Sequence, residues 1–382
     1  MTHQTASAPC IAVVGPANAG KTTLLHQLDC LLQRELKAFL VIPGNPDHGG
    51  RYVHYAPHQR EALKSHVKGS WTESTASHIR DSIDCGRRNL ELSFLDFGGK
   101  HDPANRSMLE KCSHYIVVSR LGDDSGGASW DALCRETGLE RVAWVRSIGP
   151  EAGVEPFAAQ AADGHWTGAF RYDAVAGDTV NDTALAVLSA ELVKLRRAPD
   201  SIPYVDLHDV ERWEEADIPD VRGRAAAIRE MVERTGVVVL GGVAPVWAYL
   251  AGLRCALLAD PEARVFFFDP KQPDRLVEIP ARRTAGDFPP DMIEIRWTSL
   301  PNSAQLEFHL TTKDRFLSPA TAKSLRHAPD FGVPPPGPVC LWGLSPTWIY
   351  GTYARWLLRA GVTRLGSFDA GLGRAVEVWA GG

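Results

Sequence analysis

The sequence lacks the features that mark several classes of protein. Its seven cysteines include no Cys-x-x-Cys pair, which argues against a structural zinc site and a disulfide framework. The N-terminal segment MTHQTASAPC lacks the basic and apolar regions of a signal peptide. The formal net charge is only −5, so no general excess of positive charge attracts nucleic acid or an anionic membrane. We expect a cytoplasmic protein with reduced thiols that binds neither a membrane nor a long nucleic acid.

A hydrophobic run of clear membrane-spanning character is also missing. The longest apolar stretch, Val237 to Leu253, contains Gly241, Gly242 and Pro245 and leads directly into Arg254. These interruptions predict a buried strand followed by a helix. With 382 residues, of which 44% are hydrophobic, the chain is long enough for two or three packed domains.

The clearest motif that is present is a phosphate-binding loop. The segment CIAVVGPANAGKTTLL, residues 10–25, combines a short apolar run, a turn of small residues and the start of a helix. Its Gly-x4-Gly-Lys-Thr pattern in this context is the P-loop signature. In such loops backbone N–H groups surround a phosphate, the lysine reaches the β- and γ-phosphates, and the threonine hydroxyl binds Mg²⁺. The residues predicted to bind ATP and Mg²⁺ are Gly15, Asn18, Ala19, Gly20, Lys21, Thr22 and Thr23.

A second motif follows the strand predicted at Leu90 to Leu95. Asp96 ends this strand and opens the sequence Asp-Phe-Gly-Gly. In P-loop folds an acid at this place completes the Mg²⁺ site, usually through water, and backbone N–H groups that follow can meet the γ-phosphate. A carboxylate that only caps the next turn is the alternative. The predicted roles are catalytic for Lys21 and Asp96, metal-binding for Thr22 and Asp96, and nucleotide-binding for Gly98 and Gly99.

Strands and helices alternate through the first half, which predicts a parallel sheet flanked by helices. Arg120 and Arg146 each follow a predicted strand at the edge where ligands bind, so either could contact phosphate, although each taken singly is more simply a surface arginine. The guanine-specifying Asn-Lys-x-Asp motif is absent from this half, which favours ATP over GTP. A small-molecule kinase with its acceptor near Lys64–Glu73 is the alternative to an ATP hydrolase.

The second half contains an internal repeat. VLGGVAPVWAY, residues 239–249, matches CLWGLSPTWIY, residues 340–350, and matches continue as far as Val376-Glu377-Val378. Each unit predicts a strand, a tight turn, a helix, a strand that ends in Asp, and a further strand. The repeated tryptophans and tyrosines are expected in the core. The predicted fold class is α/β, with a P-loop NTPase domain at 1–198 and tandem small α+β modules at 199–290 and 291–382.

The repeated Gly-x-x-Pro-x-Trp-x-Tyr element, followed by a helix, a strand and Asp-Pro, resembles the Csx-three family of CRISPR-associated ring nucleases. The first half is similar to a P-loop domain, labelled AAA, that is fused to some members of that family. The resemblance implies a role in type III CRISPR antiviral signalling and a cyclic oligoadenylate partner, with cyclic tetra-adenylate favoured. It also implies paired modules and a homo-oligomer. The residues that carry the similarity in the first half are Gly15–Thr22, Trp71–Glu73, Leu95–Gly99, Cys112–Tyr115 and Val142–Ser147.

The sequence departs from this family at the nuclease site, where the resemblance implies a histidine at the end of the helix and an Asp-Pro-Arg turn. The first repeat has Asp269-Pro270-Lys271, the second has Asp369-Ala370-Gly371, and neither 250–269 nor 351–369 contains a histidine. Asp269 and Lys271 could supply part of the catalytic apparatus, with Mg²⁺ or Mn²⁺ as a possible helper. The alternative is a non-catalytic sensor or scaffold that is switched by ATP.

Overall fold

A computed structural model describes residues 7–36, 38–44, 73–101, 103–149, 153, 155–161, 164–171, 183–198, 202–207, 216, 218, 220–242, 244–268, 276–284, 286, 293–310, 325–343, 345–369 and 373–380. Two compact units make up the chain, Met1–Ile202 and Pro203–Gly382. In the described part of the chain, no helix is long and apolar enough to cross a membrane.

The first unit is a seven-stranded sheet against which helices pack. Its strands are β1 (Cys10–Val14), β2 (Phe39–Gly44), β3 (Leu92–Phe97), β4 (His114–Arg120), β5 (Glu140–Ile148), β6 (Phe157–Gln160) and β7 (Trp166–Arg171). Its helices are α1 (Lys21–Leu32), α2 (Glu73–Asn89), α3 (Pro103–Leu109), α4 (Ser125–Glu136) and α5 (Thr183–Leu195). The strand order is β2-β3-β1-β4-β5-β7-β6, and every neighbouring pair is parallel except β6 with β7. The predicted parallel sheet is therefore present, with one antiparallel edge strand that the sequence pattern did not reveal.

Strand β1 lies inside this sheet because β3 pairs with one of its edges and β4 with the other. All five of its residues are buried, as expected for a parallel strand covered on both faces. The chain runs from β1 outward to β2, returns through β3, and then passes to β4 on the opposite side of β1. Ligands in such sheets bind beyond the carboxyl ends of the strands at the point where the winding reverses. The loop after β1 occupies that point.

Helix α4 begins at Ser125 and contains two glycines in its first turn. Gly126 and Gly127 weaken the helical pattern of the sequence, because glycine is a poor helix former. Their small size is required by packing. A Cβ on Gly126 would lie 2.9 Å from Pro16 Cβ, and a Cβ on Gly127 would lie 2.9 Å from Trp144 Cζ2. Gly126 therefore lets the start of α4 approach the loop after β1, and Gly127 lets it pack against Trp144 of β5.

The second unit contains two sheets. One has the order β11-β10-β9-β8 and the other the order β12-β13-β14-β15-β16. In each, three parallel strands are followed by an antiparallel edge strand, β11 or β16, and the second sheet has a further antiparallel edge strand, β12. The strands are β8 (Tyr204–Asp206), β9 (Val237–Gly241), β10 (Arg264–Phe268), β11 (Leu276–Ile279), β12 (Ile293–Leu300), β13 (Ser303–Leu310), β14 (Val339–Gly343), β15 (Arg364–Asp369) and β16 (Arg374–Ala380). The helices are α6 (Ala225–Thr235), α7 (Val246–Ala259) and α8 (Thr347–Arg359).

The long apolar stretch is a strand and a helix, as predicted, since it forms β9 and α7. The repeated aromatic residues lie in the core. Trp247 and Trp348 are each 1% exposed, and Tyr249 and Tyr350 are each 4% exposed. Each tyrosine hydroxyl donates to a glycine carbonyl at the end of the preceding strand, Gly242 or Gly343. Their shared role in the core explains why these residues recur. Because the rings are buried, they do not form a surface on which bases could stack.

Each helix of the repeat also packs against the other sheet. Helix α7 contacts β15 and β16, and α8 contacts β11 and α7. The indole Nε1 of Trp247 donates to Asp369 Oδ2 at 2.7 Å, which links α7 to the end of β15. One apolar core consequently includes residues of both sheets. The division into modules at 199–290 and 291–382 stays a prediction.

Candidate nucleotide-binding site

The loop between β1 and α1 has the backbone conformation of a tight turn into a helix. Gly15, Asn18 and Gly20 have positive φ values of 148°, 58° and 91°, a region that glycine and asparagine tolerate best. A Cβ on Gly15 would lie 2.0 Å from the Val118 carbonyl oxygen of β4, so only glycine fits there. The loop ends at α1, whose first N–H groups have no acceptor within the helix. These N–H groups and the positive end of the helix dipole suit a phosphate.

Lys21 is the first residue of α1 and is only 7% exposed. Its Nζ donates to the carbonyl oxygens of Gly15 at 2.9 Å and Pro16 at 2.7 Å. Burial lowers the pKa of Lys21 to about 8, and the nearby charge of Asp96 opposes part of that shift. The ammonium group is therefore held against the loop in surroundings that already disfavour its charge. An anion beside it would favour the charged form.

Thr22 and Asp96 meet next to this lysine. The Thr22 hydroxyl donates to Asp96 Oδ2 at 2.8 Å, although the two residues are 74 positions apart. Asp96 is 1% exposed and lies within β3, which extends two residues beyond the predicted end at Leu95. It is paired with Val13 of β1, and this register brings it beside the start of α1. Hydroxyl and carboxylate oxygens are ligands that Mg²⁺ accepts, so the donor set fits this ion.

The two glycines after β3 approach the loop closely. A Cβ on Gly99 would lie 2.4 Å from the backbone nitrogen of Ala17 and 2.6 Å from its Cα. Real Cβ atoms do not come so near to backbone atoms. A residue larger than glycine at position 99 would therefore push its own backbone away from the loop. Gly98 precedes it and is partly buried. The predicted nucleotide contacts Gly98 and Gly99 therefore lie beside the loop that carries Lys21.

We expect Gly99→Ala to weaken Mg·ATP binding by about tenfold or more, because relieving the overlap shifts the loop and overpacking costs about 1–3 kcal/mol. Isothermal titration calorimetry measures the change. Gly149→Ala is the matched control, since a Cβ on Gly149 after β5 would meet nothing within 4 Å. Equal affinities in the two variants would contradict the close approach.

Two arginines lie near the carboxyl ends of β4 and β5, and the structure separates their roles. Arg120 Nε donates to the Asn18 carbonyl oxygen at 3.2 Å, so its guanidinium lies at the loop. Arg146 instead forms an ion pair with Asp124, with an Nη2–Oδ2 distance of 2.7 Å. Hydrogen bonds from Arg146 lower the pKa of Asp124. Of these two arginines, Arg120 is the one beside the loop, and its contact with a phosphate stays a prediction. Asp124 was missed because nothing in its local sequence marks it.

Asp269 and Lys271 lie outside the described residues, as do residues 64–72 of the proposed kinase acceptor segment. In the described ranges, no group of three or more His, Cys, Asp or Glu side chains could hold a metal ion. Mn²⁺ at the second unit is therefore a prediction without structural support.

No protein-family model matches this sequence, and no curated protein is significantly similar to it. Solved structures that are similar include the septum site-determining protein MinD of Pyrococcus horikoshii, complexed with Mg-ADP, at 12% identity and a TM-score of 0.34, covering 49% of this chain and 95% of that chain. The cell division ATPase MinD of Pyrococcus furiosus has 14% identity and a TM-score of 0.34, covering 49% and 99%. A nucleotide-binding protein of Archaeoglobus fulgidus in complex with ADP has 12% identity and a TM-score of 0.27, covering 51% and 90%. These similarities are distant, and the resemblance to the Csx-three family stays a hypothesis from the sequence.

Proposed function

We propose that this protein binds ATP with Mg²⁺ at the loop between β1 and α1 and hydrolyses it. The observation that carries the proposal is the Thr22–Asp96 contact of 2.8 Å beside the buried Lys21. Lys21 exchanges the carbonyls of Gly15 and Pro16 for phosphate oxygens. In this proposal the backbone N–H groups at the start of α1 hold the same phosphates, and those of Gly98 and Gly99, beside the loop, would bind the terminal one. Mg²⁺, when bound by Thr22 and Asp96, neutralises charge on the β- and γ-phosphates.

We expect Lys21→Ala to lower the rate of ATP hydrolysis by about 10²-fold or more, because it removes a preorganised charge that stabilises the transition state. The rate is measured as released phosphate. Lys194→Ala is the control, since this α5 lysine is 68% exposed and pairs with Glu191. Hydrolysis by Lys21→Ala at the wild-type rate would overturn the proposal. ATP consumption without free phosphate, together with a new phosphorylated compound, would support the kinase alternative.

The affinity for Mg·ATP should fall as the pH rises above about 8. Lys21 in the free protein has a pKa of about 8, and a bound phosphate raises it by favouring the charged ammonium. Binding above that pH therefore takes up a proton, and the affinity falls by up to about tenfold per pH unit. Calorimetric titrations between about pH 7 and 9.5 measure this. Lys21→Arg should show no such fall, because a guanidinium stays charged. A constant affinity in the wild type would contradict the proposed contact.

We also infer that the second unit binds a cyclic oligoadenylate, in keeping with a part in type III CRISPR signalling. The repeated sequence element supports this, together with the packing of α7 and α8 against each other's sheets, which pairs the two repeats within one unit. Labelled cyclic tetra-adenylate, incubated with Mg²⁺ or Mn²⁺, provides the test. Linear product indicates a nuclease, binding without turnover indicates a sensor, and the absence of both would contradict the inference. A homo-oligomer and a cytoplasmic location stay predictions.

A further inference from the structure

A second candidate site lies in the unit of residues 203–382, in an open cleft with a volume of about 440 Å³. This volume falls within the range of about 300–1,000 Å³ that is typical of small-molecule sites. The cleft is formed by the segment after β11, the segment before β14 and the C-terminal turn of α8. The lining residues that bear charge or rings are Arg282, Arg283, Asp330, Phe331, Trp356 and Arg359.

Positive charge predominates in this cleft. Arg282 Nη2 and Arg359 Nη2 approach the same oxygen, Glu262 Oε1, at 3.4 Å and 2.8 Å, so one carboxylate serves two guanidinium groups. The third guanidinium, Arg283, is 3.2 Å from Asp330 Oδ2 through Nη1. Three arginines and two acids leave a net charge of +1.

The buried Arg355, one position before Trp356, adds a further positive charge near the cleft. Its pKa is lowered to about 10, first by burial and then by the charge of Arg359, while the charges of Glu262, Glu278 and Asp260 oppose part of that shift. No carboxylate is hydrogen-bonded to it among the described residues, since its bonds go to the carbonyls of Ile279, Pro261 and Ala263. The charge of Arg355 is thus offset in part by these carboxylates, and the excess positive charge of the cleft comes from the arginines that line it.

Backbone acceptors hold two of these guanidinium groups in place. Arg283 Nε donates to the Ala328 carbonyl at 2.9 Å, and Arg359 Nη2 donates to the Pro261 carbonyl at 3.0 Å. Beside them, Trp356 is 5% exposed and its indole Nε1 donates to the Pro280 carbonyl at 3.1 Å. The cleft therefore combines guanidinium forks of fixed position with an apolar wall. Such forks match the oxygens of a phosphate, and they lose little conformational freedom when it binds.

We propose that this cleft binds a phosphate-bearing small molecule of nucleotide size. A phosphate monoester carries up to two negative charges and can engage several guanidinium groups at once, whereas a monocarboxylate would only replace Glu262 or Asp330. Among the described residues, the internal repeat does not create a second cleft of this kind beside α7. The α7 position that aligns with Arg359 is Leu258, which is 64% exposed. The site is also separate from the loop after β1, so the proposal does not depend on ATP binding there.

Equilibrium dialysis of the full chain with radiolabelled 5′-AMP tests the proposal, and the Lys21→Ala variant distinguishes this cleft from the loop after β1. We expect one AMP site per chain in the wild type and in Lys21→Ala. The double variant Arg282→Gln/Arg283→Gln should bind about tenfold more weakly or worse, because it loses charge-assisted hydrogen bonds. Arg296→Gln, which alters a β12 arginine that is 61% exposed and paired with Glu294, should bind normally. Inorganic phosphate should displace AMP, and adenosine should not.

Failure to bind AMP at millimolar concentration would overturn the proposal, and so would binding that the arginine pair does not affect. Displacement by adenosine as effective as that by phosphate would also overturn it, since the base would then carry the recognition. If the double variant does not fold, Arg282→Gln alone serves, because this side chain is 73% exposed and has one long contact to Glu262. AMP binding lost in Lys21→Ala would place the site at the loop after β1 and not in this cleft.

Discussion

Asp96→Asn is expected to lower Mg²⁺-dependent ATP hydrolysis by about 10²- to 10³-fold, while ATP still binds in the absence of Mg²⁺. The substitution keeps the shape of the side chain and an acceptor for the Thr22 hydroxyl, whose present distance to Oδ2 is 2.8 Å. It removes the negative charge that an oxygen-bound Mg²⁺ requires. Because Asp96 is 1% exposed, its position is shielded from solvent, and the asparagine amide in its place would leave the site without this negative charge.

The same substitution should change the titration of the neighbouring lysine. The charge of Asp96 raises the pKa of Lys21 against the effect of burial. Without it, the pKa of Lys21 falls further, and the decline of ATP affinity with pH should begin at a lower pH than in the wild type. Two effects of one substitution, on metal dependence and on the pH profile, would thus be explained by one contact.

Titration of Mg²⁺ at fixed ATP, followed by phosphate release, measures the first effect. Thr22→Ser keeps the hydroxyl and should retain most of the activity, whereas Thr22→Val removes it at nearly constant volume and should behave like Asp96→Asn. Asp84→Asn is the charge control, because Asp84 is 39% exposed and pairs with Lys111. A wild-type Mg²⁺ dependence in Asp96→Asn would refute the assignment of this carboxylate.

Arg355→Ala should destabilise the second unit by about 3–5 kcal/mol. This arginine of α8 is 1% exposed, and its guanidinium donates to three backbone carbonyls. One of them is that of Ile279 in β11, at 3.0 Å, so the side chain connects α8 to the other sheet. Alanine removes these hydrogen bonds, two of which go to the buried residues Ile279 and Ala263, and it opens a cavity. The expected cost exceeds that of a typical substitution because both effects act together.

Arg254→Ala is the matched control. Arg254 aligns with Arg355 in the repeat, is partly exposed, and makes a longer bond of 3.4 Å to the Val378 carbonyl. We expect it to cost about 1 kcal/mol or less. Urea denaturation of the full chain, followed by tryptophan fluorescence, compares the two variants, and the transition of the second unit is the one that should shift. Equal losses of stability in both variants would show that Arg355 contributes no more to the stability of the second unit than Arg254 does. ATP hydrolysis serves as the check that the first unit is intact.

Much of the site could be predicted from the sequence because its chemistry is local. Gly15, Gly20, Lys21 and Thr22 fall within one turn and one helix start, where spacing alone fixes which groups face a phosphate. Asp96 was recognisable because an acid at the end of an apolar strand is unusual in a core. The alternation of strands and helices likewise predicted a parallel sheet, since both patterns have short periods that a sequence displays directly.

The sequence by itself therefore determined which residues form the phosphate-binding loop between β1 and α1. It also determined that the first sheet is mostly parallel and that the repeated aromatic rings are buried. Only the tertiary structure decided that β3 pairs with β1 and so places Asp96 beside Thr22. It also decided that Arg120 approaches the loop while Arg146 is neutralised by Asp124. The physical reason is that periodicity reports which face of an element is buried, whereas strand order and contacts between distant segments depend on how whole elements pack.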